Sequence, residues 1–189
     1  MTSRGTRNNN PLNIRHSADS WQGAREEQTD KSFVQFTSMA YGYRAAWKVL
    51  DTYCLTFRRE RKAYNVANII ARWAPPAEND TDAYVRTVVS LTGLGGHENM
   101  PRPLRGQELE KMAQLIAAMT VMECGISYGE VDWDAIWEGY DLAFPGKRFG
   151  KVSRITGGSP IVPYPLPLPK VKEEVPFVPD EYWDWSPRG

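Results

Sequence analysis

Gln107-Glu-Leu-Glu-Lys-Met-Ala-Gln-Leu-Ile-Ala-Ala-Met-Thr-Val-Met-Glu-Cys-Gly125 carries the clearest structural signal in the chain. Leu109, Met112, Ile116 and Met119 recur at three- and four-residue steps, the spacing that gathers side chains on one face of an α-helix, and Gly125 is the residue type with which helices commonly end. One more step along that stripe arrives at Glu123. A carboxylate in the last turn of a helix, on its apolar face, meets the negative end of the macrodipole and loses water, and both effects raise its pKa. A carboxylic acid held protonated in this way is what protonation of a glycosidic oxygen requires near neutral pH.

Helical spacing recurs on both sides of this segment. Tyr43, Ala46, Trp47, Leu50, Tyr53, Cys54 and Phe57 predict a helix from Met39 to about Glu60, and Val66, Ala67, Ile69, Ile70 and Trp73 predict another, stopped by Pro75-Pro76. Asn79-Asp80-Thr81 offers capping chemistry for a third, carrying Tyr84, Val85, Val88 and Val89 to about Gly93. A last helix is expected from about Asp132 to Phe144. The first 32 residues are polar and turn-rich, and Phe33, Val34 and Phe36 favour a strand, so a small β-hairpin element is expected near Lys31 to Phe36. The fold class is therefore mainly α.

Composition narrows the function. A chain of 189 residues with 23 basic and 23 acidic side chains has no net charge to draw in nucleic acid or an anionic membrane. No apolar run reaches membrane-spanning length and the first residues lack the apolar core of a secretory signal, which predicts synthesis in the cytosol and no membrane insertion. Cys54 and Cys124, with His16 and His97, have no metal-ligand spacing, so neither a metal nor a cofactor is expected. His97-Glu98 has no HExxH context, Gly93-Leu-Gly-Gly96 lacks the Lys-Ser/Thr of a phosphate loop, and no Gly-x-Ser-x-Gly appears. Seven Trp and nine Tyr supply flat faces suited to sugar rings as well as to a core. A glycosidase needs a second carboxylate or a positioned water beside its acid, at carboxyl separations of roughly 5 to 9.5 Å. Asp30 and the neighbouring Glu26 and Glu27 are the candidates, in a polar region able to form a cleft lip.

Three segments together, Arg4-Gly-Thr-Arg-Asn-Asn-Asn-Pro-Leu-Asn-Ile-Arg15, Trp21-Gln-Gly23 with Phe33-Val-Gln-Phe36, and Tyr41-Gly-Tyr-Arg-Ala45, resemble the opening of a family of small phage-encoded, lysozyme-like proteins often labelled virion structural proteins. Arg72-Trp-Ala-Pro-Pro-Ala-Glu-Asn-Asp-Thr81 with Tyr84 is similar to the same family. The order of the pieces also resembles bacterial glucosaminidases and lytic transglycosylases, in which a Glu-x-Gly helix end comes before the Asn loop. Here Glu123-Cys-Gly125 follows it, as a circular permutation would arrange, and Cys124 stands where a small polar residue is usual.

The resemblance implies a lysozyme-like helical domain over residues 1–150 that cleaves peptidoglycan glycan strands as a muramidase or lytic transglycosylase. Glu123 would be the catalytic acid and Asn13, Trp21, Asn79 and Tyr84 would bind the sugar; the resemblance does not fix the second catalytic group, for which Asp30 or a neighbour is the candidate. The protein would reside in the virion and act in the host cell envelope. The alternative is a non-catalytic virion structural or adaptor protein on the same fold.

Eight of the fourteen prolines lie between Pro160 and Pro187, which predicts an extended, polyproline-like arm over residues 151–189. Phe177, Tyr182, Trp183 and Trp185 would each gain roughly 1.5 to 3 kcal/mol from burial, which suits docking on other virion proteins. Deleting residues 151–189 is expected to leave the thermal transition of the helical domain in place while abolishing incorporation into the virion; calorimetry and virion immunoblots read the two effects separately.

Overall fold

Each predicted helix forms, with its ends set by the residues that signal them. The computed structural model describes residues 2–77 and 79–147, so the arm expected over residues 151–189 lies outside the described residues. Among the described residues the architecture is helical: α1 (Arg4–Arg7), α2 (Met39–Arg59), α3 (Val66–Trp73), α4 (Thr81–Thr92), α5 (Leu109–Cys124) and α6 (Trp133–Ala143). Asn65, Asp80 and Asp132 cap α3, α4 and α6, each accepting a hydrogen bond at 2.9 Å from the backbone N–H three residues on. The short α1 falls in what reads as loop; Ser3 caps it by accepting from the Thr6 N–H at 3.2 Å.

The core is built around α5. Met112, Ala113, Leu115, Ile116, Ala117, Ala118 and Met119 are all fully buried, so this helix is apolar on every side, beyond the single stripe expected of it. Helices α4 and α6 pack on it, and α2 packs along α6. There Trp47 donates its indole N–H to the Ile136 carbonyl at 3.0 Å and meets Tyr140 edge-on at 5.0 Å between ring centroids. Asp51, on α2, accepts from Arg102 at 2.8 and 3.2 Å and from the Leu104 N–H at 3.2 Å, tying the loop before α5 to the bundle.

The expected β-hairpin is not formed. Arg15 pairs with Phe33, and Ala24 with Phe36, as single antiparallel bridges. Side-chain amides take the backbone groups that a ladder would otherwise pair. Asn10, fully buried, donates from Nδ2 to the Ile14 and Val34 carbonyls and accepts the Ile14 N–H, all at 2.8 Å. Gln35 Oε1 accepts from the N–H groups of Thr29 and Asp30 at 2.6 and 3.2 Å, and the Gln35 N–H in turn donates to Gln28 Oε1 at 2.6 Å. Phe36 and Val34 still bury their side chains, which is the part of strand character that this region keeps.

Asn10→Ala would strand two buried backbone groups at once, the Ile14 N–H and the Val34 carbonyl, while the Ile14 carbonyl keeps the Val34 N–H at 2.9 Å, and a loss of roughly 2 kcal/mol or more is expected. Urea denaturation checks this; a loss below about 1 kcal/mol would mean that water replaces the amide.

Candidate active site

Glu123 occupies the last turn of α5, before Gly125, whose φ of 63° is the left-handed conformation that ends the helix. Three elements converge on its carboxylate. Asn13, from the N-terminal loop, donates Nδ2 to Oε2 at 3.0 Å and to the Glu123 carbonyl at 3.2 Å. Trp73, the last residue of α3, donates its indole N–H to Oε1 at 3.2 Å, and Tyr84, in the first turn of α4, donates its hydroxyl to the same oxygen at 3.2 Å. Asn13 has φ of 50°, a conformation that Asn adopts at lower cost than most side chains. The loop can reach α5 because α2 has no side chain at Gly42, where a Cβ would meet the Asn9 carbonyl oxygen and Pro11. Cys124 Sγ donates to the Pro11 carbonyl at 3.3 Å from the other side.

An edge of Glu123 remains open to solvent, whereas protein atoms crowd most of its side chain. Burial raises its pKa, against hydrogen bonds from Asn13, Tyr84 and Trp73 and the charge of Arg15, and the net direction is upward. The carboxyl is thus biased toward its protonated form while its oxygens stay oriented.

The open edge faces a groove of about 970 Å³. Asn13, Arg15, Asp19 and Trp21 line it from the N-terminal loop, Arg44 and Lys48 from α2, and Trp73 and Asn79 from the end of α3 and beyond. The structure therefore brings Glu123, Asn13, Trp21 and Asn79 to one groove, with the buried Tyr84 bonded to the carboxylate from beneath.

Asp30 does not join them. Arg4 holds it in a two-pronged ion pair at 2.6 and 2.7 Å, Asn8 donates to it at 2.7 Å, and the N–H groups of Ser32 and Phe33 donate at 3.0 and 3.1 Å. The Arg4 guanidinium, with these donors, keeps its pKa well below the usual carboxylate range. Asp30 is outside the groove lining and serves as the hub of the loop, which corrects its expected place beside the acid. The carboxylates that do line the groove are Asp19, which accepts from Ser17 Oγ at 3.1 Å, and Glu60, paired with Lys62 and Arg72. Reading the sequence for periodicity places Trp73 in the core and misses its indole N–H, and it misses Arg44 and Lys48 on the polar side of α2. Their signal is a second four-residue period, polar this time, through Arg44, Lys48, Thr52, Thr56 and Glu60.

No family model matches the chain. It is, however, 36% identical over 148 residues to Protein P5 of Pseudoalteromonas phage PM2, a span that covers 76% of this chain and 83% of that protein. The chain belongs to the family of that phage protein. Among the described residues of this P5-family chain, no helix is long and apolar enough to cross a membrane.

Removing the phenol hydroxyl takes away a donor to the Glu123 anion, so Tyr84→Phe is expected to raise the Glu123 pKa further. A carboxyl 13C titration of both proteins reads it, and an unchanged or lower midpoint would contradict the geometry. Linkage gives the sign for stability. A folded-state pKa above the unfolded one makes unfolding easier as pH climbs from the ordinary glutamate range through the raised value, and Glu123→Gln should flatten that decline.

Proposed function

We propose that this P5-family protein cleaves the β-1,4-linked glycan strands of peptidoglycan, as a muramidase or lytic transglycosylase with a lysozyme-like fold, in the virion or released with it. The observation that carries the reading is the Glu123 carboxyl itself: at a helix C-terminus, largely desolvated, held by three donors and open on one edge to a long groove.

In the reaction, Glu123 gives its proton to the glycosidic oxygen. The C–O bond breaks and leaves a cation-like sugar. An oxygen nucleophile, either water or a hydroxyl of the same sugar, then bonds to that carbon and returns a proton to Glu123. Because Oε1 already accepts from Trp73 and Tyr84, Oε2 is the oxygen better placed to carry the proton. Asn13, Trp21 and Asn79 would bind the sugar rings, and Tyr84 would position the acid. With Asp30 committed to Arg4, Asp19 is the groove carboxylate available to face the developing positive charge.

One observation favours a second reading. The three hydrogen bonds to Glu123 also join the N-terminal loop, α3 and α4 to α5, so the carboxylate has structural value without turnover, as a virion structural or adaptor protein would use it.

Zymography on peptidoglycan separates the two. Wild type is expected to clear the gel and Glu123→Gln to lose about 10²-fold or more in rate, with Asp19→Asn impaired to a smaller degree. Clearing by Glu123→Gln at the wild-type rate would remove the acid from its role, and no clearing by wild type would favour the adaptor.

A further inference from the structure

One wall of the groove is a face of α2 and its C-terminal cap, where Arg44, Lys48, Thr52 and Thr56, then the capping Glu60, follow one another at four-residue steps. At the rise of an α-helix this stripe runs for about 24 Å, room for several sugar rings. Two of its charges are already engaged. The Lys48 ammonium lies over the Phe144 ring at 4.9 Å, and Glu60 is bound by Lys62 at 3.0 Å and by Arg72 at 3.4 Å.

Arg44 is different. No carboxylate among the described residues pairs with it, and its Nε is shut off from water without a hydrogen-bond acceptor. Protein atoms desolvate the guanidinium enough to push its pKa down. An arginine keeps its charge, so the half-buried guanidinium, with Nε unpaired, is suited to an anion entering from the groove that it lines. Its neighbours fix its place along the groove. Tyr43 accepts from the Thr120 hydroxyl at 3.3 Å, one turn before Glu123, and Gly42 abuts the Asn9 carbonyl, so Arg44 belongs to the end of α2 against which the acid-bearing elements pack.

Three carboxylates, Asp19, Glu60 and Glu123, share the groove with its cations. A polyanion charged at every unit, such as a nucleic acid, would meet them repeatedly. An isolated carboxylate on an otherwise neutral polymer would not. Resting on the glycan-cleaving reading of the groove, we propose that Arg44 is a specificity-determining residue that binds a carboxylate carried on the glycan, so that the groove takes an acidic, peptide-substituted strand in preference to a neutral N-acetylglucosamine oligosaccharide.

Isothermal titration of the full chain carrying Glu123→Gln, which blocks turnover, tests this with three tetrasaccharides: a muropeptide with free peptide carboxylates, the same molecule with those carboxylates amidated, and a neutral N-acetylglucosamine tetramer. The acidic form should bind about tenfold tighter than the amidated one, the scale of one charge-assisted hydrogen bond. Adding Arg44→Gln should bring the two within about twofold while leaving the neutral tetramer unchanged, which also reports that the groove is folded; Arg44→Lys, which keeps the charge and loses the planar fork, should give an intermediate preference. Equal binding of the acidic and amidated forms overturns the assignment without needing any Arg44 variant, as does an undiminished preference in Arg44→Gln. If none of the three saccharides binds, the glycan-cleaving reading fails and the role of Arg44 fails with it.

Discussion

The structure hangs on one carboxylate. Glu123 accepts from an amide, an indole and a phenol that belong to three separate elements, and each donor is where it is because its own element is fixed elsewhere. Trp73 ends α3 because Pro75 and Pro76 forbid another turn, Tyr84 stands in the first turn of α4 because Asp80 caps it, and Asn13 is held by a loop knotted around Asn10 and Asp30. An acid buried among apolar side chains is expensive, and a single hydrogen bond would not offset the cost. Three directed donors do so in part, and in return they fix the carboxyl in one orientation. Burial and hydrogen bonding pull the pKa in opposite directions here, and the net upward shift shows that desolvation wins.

Much of this was legible in the sequence, and the illegible part has a physical reason. Helix positions follow from spacing and stop signals, which are local. The place of Glu123 at the end of the apolar stripe followed too, though spacing alone leaves a side chain in the last turn free to swing to solvent, and it is the three donors that hold it inward. Its meeting with Asn13 rested on resemblance and on a supposed permutation, because no local rule relates residues 110 positions apart. The hairpin expectation failed for a related reason: Phe33, Val34 and Phe36 have strand character, but Asn10, Gln28 and Gln35 outcompete a ladder for the backbone, and side-chain capture of this kind leaves no periodic trace. Asp30 was misplaced because a run of acidic residues does not reveal which one an arginine will claim. The structure gives that one to Arg4.

The groove combines two kinds of wall. The N-terminal loop is irregular, and it holds shape through side chains that bond its own backbone. Helix α2 is regular and presents a straight row of polar side chains. An irregular wall suits recognition at one point, while a straight wall suits contact with an extended ligand along its length. The kinship with a phage protein leaves that arrangement free to serve either catalysis or assembly, since shared descent fixes the fold more firmly than the chemistry.

The bond from Asn13 to Glu123 spans most of the helical domain, and its two ends leave the ribosome at very different moments. The loop is synthesised first and can close on its own amides, yet its acid does not exist until α5 has been made. A chain released short of that helix would hold the groove-lining side chains of the loop without the carboxylate they surround. The site is complete only when both stretches are present, and the distance along the chain between its two halves makes their meeting one of the long-range contacts that slow folding.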